Sequence, residues 1–242
     1  MTVSSQPIRS AAGLEALRPA NLAERAVARI VDAIADGRLS PGQRLIEADI
    51  AAELGVSRLP VREAFKMLAA QGILELSLHR GARISEIAGD RLATVRAART
   101  TLERLAFPKA AATYRRDPGR LRELDGIVER MKRAEERADL DVLNRLDIEF
   151  HRAVVAAAED PFLAALWDAL ALHLRIVFAW EVRTLPKPVA YASVHLAIRY
   201  ALARDADDVL ADLVELHIAG RSEIDPGPSR AVGARTQRRR KK

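Results

Sequence analysis

The sequence predicts a mainly α-helical fold, in which a winged helix-turn-helix with three helices and a two-stranded wing precedes an all-α antiparallel helical bundle. Three observations support this prediction. The composition is 49% hydrophobic but only 4% aromatic, which favours helices in a globular chain. Apolar stripes at helical spacing cover most of the sequence. Segments with the character of short strands lie only on either side of residue 80.

The length of 242 residues allows two modest domains. We expect a flexible leader over 1–20, a winged domain over 21–88, a helical domain over 89–222 and a disordered basic tail over 223–242. The second domain is larger than a winged helix requires, so it should carry a task of its own.

The net charge of +6 comes from the C-terminal tail. Arg230 to Lys242 include seven basic and no acidic side chains, and subtracting these seven charges leaves −1 for residues 1–229. Bulk charge therefore does not indicate nucleic-acid binding, which only local clusters of charge can do. We expect the tail to be a solvated extension, with nonspecific attraction to phosphate as the alternative.

The chain contains no cysteine, which excludes disulfides and thiolate zinc fingers. Any bound metal must then be held by imidazole and carboxylate groups. No uncharged apolar run reaches the length of a membrane span, and Arg9, Glu15 and Arg18 interrupt the segment where a signal peptide needs an apolar core. We expect a cytoplasmic protein without a membrane partner.

The winged domain begins with three predicted helices. The first stops near Gly37 and the second ends at Gly55. The third follows almost at once, with Ser57 as its N-cap and Pro60 in its first turn, where a missing N–H costs little. Its apolar stripe contains Val61, Ala64, Phe65 and Leu68. The short connection between helices two and three is typical of a helix-turn-helix.

The third helix also carries a basic ridge of Arg58, Arg62 and Lys66, spaced by four residues. A basic edge of this kind suits the major groove of double-stranded DNA, because guanidinium groups fit guanine edges and phosphates. The alternative is an ordinary solvated helix face. Segments 73–78 and 82–87 predict the two strands of the wing, whose turn, His79-Arg80-Gly81, forms a basic tip.

Collinear motifs in this domain cover Ser40 to Leu45, Ile50 to Arg58, Pro60 to Ala64 and Arg80-Gly81. Together these motifs resemble the N-terminal domain of the GntR family of regulators. The resemblance implies that Arg58 and Arg62 contact an operator and that the wing tip with Gly81 enters the minor groove. The predicted DNA-binding set is completed by Ser57, Leu59, Lys66, His79 and Arg80.

Two positions depart from the family pattern. Leu59 stands where the family usually has Thr, so a hydroxyl contact to phosphate is lost and the leucine could pack on a thymine methyl instead. Ala48 stands where some members carry another DNA-contacting Arg. The operator sequence is therefore not predicted.

The second domain shows helical stripes without strand-like alternation. Breaks at Asp117-Pro118, Asp160-Pro161, Pro186 to Pro188 and Arg204-Asp205 separate the helices, and their short connections predict antiparallel packing. The predicted helices are 90–114, 118–138, 141–158, 161–183, 189–203 and 206–219.

Four histidines in this domain, His151, His173, His195 and His217, are each separated by 22 residues. The stretches 151–173 and 195–217 each resemble a helical hairpin, which suggests one shared layer. Asp147 precedes His151 by four, so both can chelate one ion, and two further histidines would give an N/O set suited to zinc, nickel, iron or manganese. The alternative is that each histidine is an ordinary helix or core residue.

The motif Asp147-x-x-Phe150-His151, together with His195 and His217, resembles the FCD effector domain of the FadR subfamily of GntR regulators. The resemblance implies that these four residues hold a divalent cation, with zinc as the first choice. His173 is not in that set and is left as a possible outer-shell group. Arg99 is implied to face the effector, with a helix-surface ion pair to Glu103 as the alternative, and Pro108 implies a kink nearby.

The predicted function is a homodimeric repressor that binds a pseudo-palindromic operator and is controlled by a small carboxylate effector at a metal-containing pocket. Two alternatives remain open at this point. A metal hydrolase would need a general base, and no His-Glu-x-x-His pattern accompanies the four ligands. An architectural DNA protein would bind through the basic tail instead of the ridge. We predict no enzymatic activity.

Overall fold

The computed structural model describes residues 21–77, 81–86, 89–184, 191–204 and 207–219. The predicted leader and tail, and His79 and Arg80 at the predicted wing tip, lie outside these residues.

The described part of the winged domain, residues 21–77 and 81–86, contains three helices and a three-stranded antiparallel sheet. Its elements are α1 (Asn21–Ala35), β1 (Arg44–Leu45), α2 (Glu47–Leu54), α3 (Arg58–Ala70), β2 (Leu74–Ser77) and β3 (Gly81–Ile84). β3 lies in the middle of the sheet, with β2 on one side and β1 on the other. The predicted two-stranded wing thus has a third strand, which pairs Arg44 with Arg83 and Leu45 with Ala82. A strand of two residues is too short to show alternation of apolar and polar side chains, so the sequence pattern could not reveal β1.

Residues at the two ends of the turn between α2 and α3 shape it. Gly55 adopts the left-handed conformation (φ 65°), and its N–H donates to the carbonyls of Ala51 and Ala52, which ends α2. Ser57 occupies the N-cap position of α3, but its side chain makes no capping hydrogen bond, contrary to the prediction. Pro60 lies at the third helical position and lacks the N–H that a capping hydroxyl would use.

Over residues 89–184, 191–204 and 207–219, the second domain is a bundle of six helices, as predicted. They are α4 (Gly89–Arg116), α5 (Leu121–Glu136), α6 (Leu140–Ala157), α7 (Pro161–Thr184), α8 (Tyr191–Leu202) and α9 (Asp207–Ala219), with a short 3-10 turn over Pro118–Arg120. Aspartates cap two helix starts: Asp139 accepts from the Val142 N–H, and Asp160 accepts from the Phe162 and Leu163 N–H groups. α4 continues through Pro108 as one helix of 28 residues.

α7 contacts α4 and α6 within the bundle and α1 of the winged domain. Its segment Pro161–Ala179 is long and apolar enough to cross a bilayer, but half of that segment is buried inside the fold. Trp167, Leu174 and Phe178 belong to the core of the bundle, while Ile176 packs into the core of the winged domain. α7 therefore joins the two domains through side chains on different faces.

Candidate functional site

An open cleft of about 520 Å³ lies between α2, α3, β1 and the wing. Its lining includes Arg58, Arg62, Lys66 and Gly81 from the predicted DNA-binding set. Arg44, which sequence reasoning missed, lines the same cleft from β1, together with Ala48. The cationic groups therefore come from two separate elements, a helix and a strand, that face one groove.

The basic ridge on α3 is held by ion pairs at the surface. Arg62 Nε donates to Glu47 at 3.1 Å, and Lys66 Nζ donates to Glu63 at 2.9 Å. All four side chains remain substantially exposed, so these pairs can exchange for phosphate contacts at small cost. Leu59, at the start of the helix, is 65% exposed and presents a bare apolar side chain beside the ridge.

Gly81 is required by the geometry of the sheet. Its φ is +83°, and a Cβ at this position would lie 2.2 Å from the Leu45 carbonyl oxygen of β1. A glycine at the first residue of β3 therefore allows β1 and β3 to approach, which is a structural role beside the DNA contact predicted for it.

In the bundle, Asp147, His151, His195 and His217 come together as a buried cluster, which we call the Asp147 cluster. One potential ligand atom from each lies within 4.8 Å of the others. The Nε2 atoms of His217, His195 and His151 lie 3.0, 3.2 and 4.0 Å from Asp147 Oδ1. Since bonds from zinc to nitrogen or oxygen are about 2.0–2.2 Å long, four atoms this close can share one ion.

The orientation of His195 fits a metal ligand. Its Nδ1 lies 2.6 Å from the Tyr191 carbonyl oxygen, which can only accept, so Nδ1 carries the proton. In the neutral ring, Nε2 then carries a lone pair. It lies 3.2 Å from Asp147 Oδ1 without a hydrogen-bond partner among the described residues. Two electron-rich atoms repel at this distance unless a cation lies between them. A backbone carbonyl that accepts from the other ring nitrogen commonly fixes the orientation of a metal-binding histidine.

Arg99 and Glu103 adjoin the Asp147 cluster, and both are fully buried. Arg99 Nε donates to Glu103 at 2.7 Å, and its Nη1 donates to Asp147 Oδ2 at 3.0 Å. The pair with Glu103 therefore exists, but it lies in the core and not on the helix surface. Burial alone would lower the pKa of Arg99, but the two carboxylates raise it above its ordinary value; burial raises the pKa of Glu103 against the opposing effect of Arg99.

Aromatic rings enclose these charges. His151 stacks on Phe107 and on Trp167, with ring centroids 5.6 and 6.0 Å apart, and the guanidinium of Arg99 lies over Trp167 and Phe178. Apolar walls lower the local dielectric, which strengthens every charge interaction inside.

Comparisons with known proteins decide the family. The family model described as "Bacterial regulatory proteins, gntR family" matches residues 22–84, and that of the FCD domain matches residues 94–220. The chain belongs to the GntR family of bacterial regulatory proteins, with an FCD domain. It is therefore a DNA-binding transcriptional regulator and not an enzyme, which removes the hydrolase alternative.

Relatives of this GntR-family regulator include two named repressors. The probable D-xylose utilization operon transcriptional repressor of Paenarthrobacter nicotinovorans is 36% identical over 78% of this chain and 82% of its own length. The gluconate operon transcriptional repressor of Bacillus subtilis is 28% identical over 76% of this chain and 69% of its own. The solved structure of E. coli McbR/YncC covers 83% of this chain and 97% of its own, with 24% identity and a TM-score of 0.70, which supports the fold.

His173 of the regulator is not one of the residues that form the Asp147 cluster, and its role as an outer-shell group stays a prediction. It lines a small cavity at the junction of the domains, beside Ile34, Ser85 and Arg91. Burial, and then the Arg91 cation, lowers the pKa of His173. The 22-residue spacing placed only three of the four histidines together, because α7 turns this residue toward the winged domain.

Proposed function

We propose that this GntR-family regulator belongs to the FadR subfamily and acts in the cytoplasm as a homodimeric repressor. Each subunit reads one half-site of a pseudo-palindromic operator with its winged domain. A small organic acid that binds at a metal in the Asp147 cluster lowers operator affinity. The observation that carries the regulatory part is the convergence of three imidazoles on one buried carboxylate oxygen.

The residues in and beside the cleft each have a proposed role in operator binding. Arg58 and Arg62 contact base edges and phosphates, and Lys66 contacts the backbone farther along α3. Ser57, whose hydroxyl is not used for capping, can donate to a phosphate, and Leu59 packs on a thymine methyl. Arg44 supplies a phosphate contact from the side of β1, where Ala48 offers none. The wing residues His79, Arg80 and Gly81 contact the minor groove.

For the metal, Asp147, His151, His195 and His217 are the ligands, and zinc is the first candidate. Imidazole and carboxylate donors also suit nickel, iron and manganese. A divalent cation held there would supply coordination positions for a carboxylate oxygen of the effector. The Tyr191 carbonyl orients the ring of His195 so that Nε2 faces the carboxylate of Asp147, and the two groups suit one shared ion.

For the effector, the local charge favours an acid. Two carboxylates and one guanidinium leave one negative charge in the buried group, so a divalent ion makes it positive and a carboxylate restores balance. Three buried polar atoms nearby make no hydrogen bond among the described residues: Arg99 Nη2, Glu103 Oε2 and Trp167 Nε1. Buried polar groups need partners, and a ligand that carries both oxygen acceptors and hydroxyl donors would supply them.

The relatives narrow the acids to test first. One relative is named for a D-xylose operon and another for a gluconate operon, so sugar acids come before aromatic acids. The charge argument predicts that gluconate stabilises the metal-loaded protein more than D-xylose does, because only gluconate carries the carboxylate.

Elemental analysis of the purified protein, followed by operator binding with and without each acid, tests this function. We expect one divalent ion per chain and an operator affinity that falls about tenfold or more with the correct acid, as is usual for allosteric coupling. Operator fragments come from selection out of random duplex DNA by the full-length protein. A protein that binds no divalent ion, or a metal-loaded protein whose operator affinity no acid changes, would contradict the regulatory half of the proposal.

A further inference from the structure

The two domains meet at a group of five charged residues, which we call the charge clasp. Asp32 lies on α1 of the winged domain, and Asp36 directly follows the last residue of that helix. Asp141 and Arg145 lie on α6, and Arg175 lies on α7. None of these residues belongs to the cleft or to the Asp147 cluster.

Arg175 is the centre of the charge clasp and is only 6% exposed. Its Nε donates to Asp32 at 3.2 Å, and its Nη2 donates to Asp36 at 3.2 Å and to Asp141 at 2.6 Å. Arg145 reinforces the group, with its Nε 3.0 Å from Asp141 and its Nη2 3.5 Å from Asp32. A buried guanidinium between carboxylates of different helices fixes their relative positions, because moving one helix leaves buried charge without a partner.

α6 connects the charge clasp to the Asp147 cluster. Asn144, between the clasp residues and Asp147, is buried and donates from Nδ2 to the Arg175 carbonyl oxygen at 3.1 Å. Asp141, Asn144 and Asp147 follow one another at intervals of three residues on one continuous helix. Any shift of Asp147 therefore also moves Asp141, which pairs with the Arg175 side chain, and Asn144, which binds the Arg175 backbone.

α1 connects the charge clasp to the cleft. The apolar side of α1, which includes Val27 and Ile30, packs against Val61 and Phe65 of α3 in the core of the winged domain. A displacement of α1 is thus passed to the helix that carries the basic ridge, since close-packed cores transmit shifts instead of absorbing them.

We propose that the charge clasp transmits the state of the Asp147 cluster to the DNA-reading helix, with Arg175 as the positioning residue. The proposal rests on the function proposed above, because it assumes an ion at the cluster. Asp147 on α6, His195 on α8 and His217 on α9 would hold the ion, and binding it would change the forces on α6. The charge clasp converts that change into the position of α1.

The test compares full-length wild type with the double variant Asp32→Asn/Asp36→Asn and with Arg175→Met. Arg175→Met removes a buried cation and is the variant more prone to unfold. The double variant changes two partly exposed carboxylates instead, so it keeps the test decisive. The matched control is Asp125→Asn, which makes the same chemical change in an ion pair with Arg199 that lies within the bundle. The probe is zinc, with its binding measured by calorimetry.

Two quantities are measured after zinc is added: the operator affinity, and the hydrogen exchange of residues 21–35. In wild type and in Asp125→Asn, we expect zinc to change operator affinity about fivefold or more and to alter exchange in α1. In the clasp variants, zinc should bind with unchanged affinity, while both responses disappear. A structural role alone would lower stability without removing the response to zinc.

The outcomes separate this proposal from the one above. Clasp variants that respond to zinc as the wild type does would overturn the role of the charge clasp and leave the metal site intact. A wild-type protein that binds zinc without any change in α1 or in operator affinity would also overturn it. Failure of zinc and the other candidate ions to bind wild type would instead overturn the proposed metal site.

Discussion

The regulator holds its charges in two different ways. In the cleft, Arg62 and Lys66 are exposed and pair with carboxylates that are themselves partly exposed. In the bundle, Arg99, Glu103 and Asp147 are fully buried, and Arg99 pairs with both carboxylates. The first arrangement leaves cations available to an external partner, whereas the second builds charge into the core.

The energetics of the two regions differ accordingly. Exposed ion pairs contribute about 0–1 kcal/mol to stability, so their residues are free to serve binding. Removing one member of a buried pair costs about 3–5 kcal/mol, because the other charge is left in a medium of low dielectric. Substitutions in the cleft should therefore weaken binding with little loss of stability. Substitutions in the buried charges of the bundle should lower stability itself.

Asp147→Ala should have the largest effect on stability. It removes the carboxylate that faces three imidazoles and also pairs with Arg99, so we expect a loss of about 3–5 kcal/mol in the free energy of unfolding together with loss of the bound ion. Urea unfolding and elemental analysis measure the two losses. The control Asp168→Ala removes an exposed partner of Arg152 and should cost less than about 1 kcal/mol. Equal costs at the two positions would show that burial does not govern these charges.

Arg62→Ala should reverse this pattern. Its pair with Glu47 lies at the surface, so the free energy of unfolding should change by less than about 1 kcal/mol. Operator binding should weaken by about 1–3 kcal/mol, with lost discrimination between operator and random DNA, since the arginine fork proposed to read bases is removed. Fluorescence anisotropy with both DNAs measures this.

Two controls belong to the Arg62 experiment. Arg130→Ala breaks a similar exposed pair, with Glu149, far from the cleft, and should leave operator binding unchanged. Deletion of 226–242 removes the basic tail and should mainly flatten the dependence on salt. If the deletion abolished binding while Arg62→Ala had no effect, the architectural alternative would replace the cleft as the binding element.

Prediction from sequence succeeded where residues of one element form a pattern. The six bundle helices followed from their apolar stripes and breaks, and the grouping of Asp147 with His151 followed from a four-residue spacing on one helix. It failed where a role depends on contacts distant in sequence. The strand at Arg44 is too short to have a period, and the positions of His173 and Arg175 depend on how α7 rotates against α1.

Gly81→Ala tests the structural side of the cleft. The added methyl would collide with the Leu45 carbonyl at a residue whose φ is +83°, so we expect a loss of about 1–3 kcal/mol in the free energy of unfolding. Operator affinity should fall because the wing is displaced. Gly42→Ala is the matched control, since it shares a positive φ of +75° but has open space around the added Cβ. Equal losses of stability would show that φ, and not the approach of β1, determines the requirement for glycine.

His173→Leu should have the smallest effect, on the pH dependence of stability. Burial and Arg91 lower the pKa of His173 in the folded protein, so below about pH 6.5 the unfolded chain takes up a proton that the folded state resists. With respect to His173, the folded protein thus has its full stability above that pH and loses stability on acidification. The variant should lose less stability than wild type between about pH 7.5 and 5.5 when both are unfolded in urea with a chelator present. Parallel pH profiles would place the titrating group elsewhere, and would leave the Asp147 cluster as the source of any acid sensitivity.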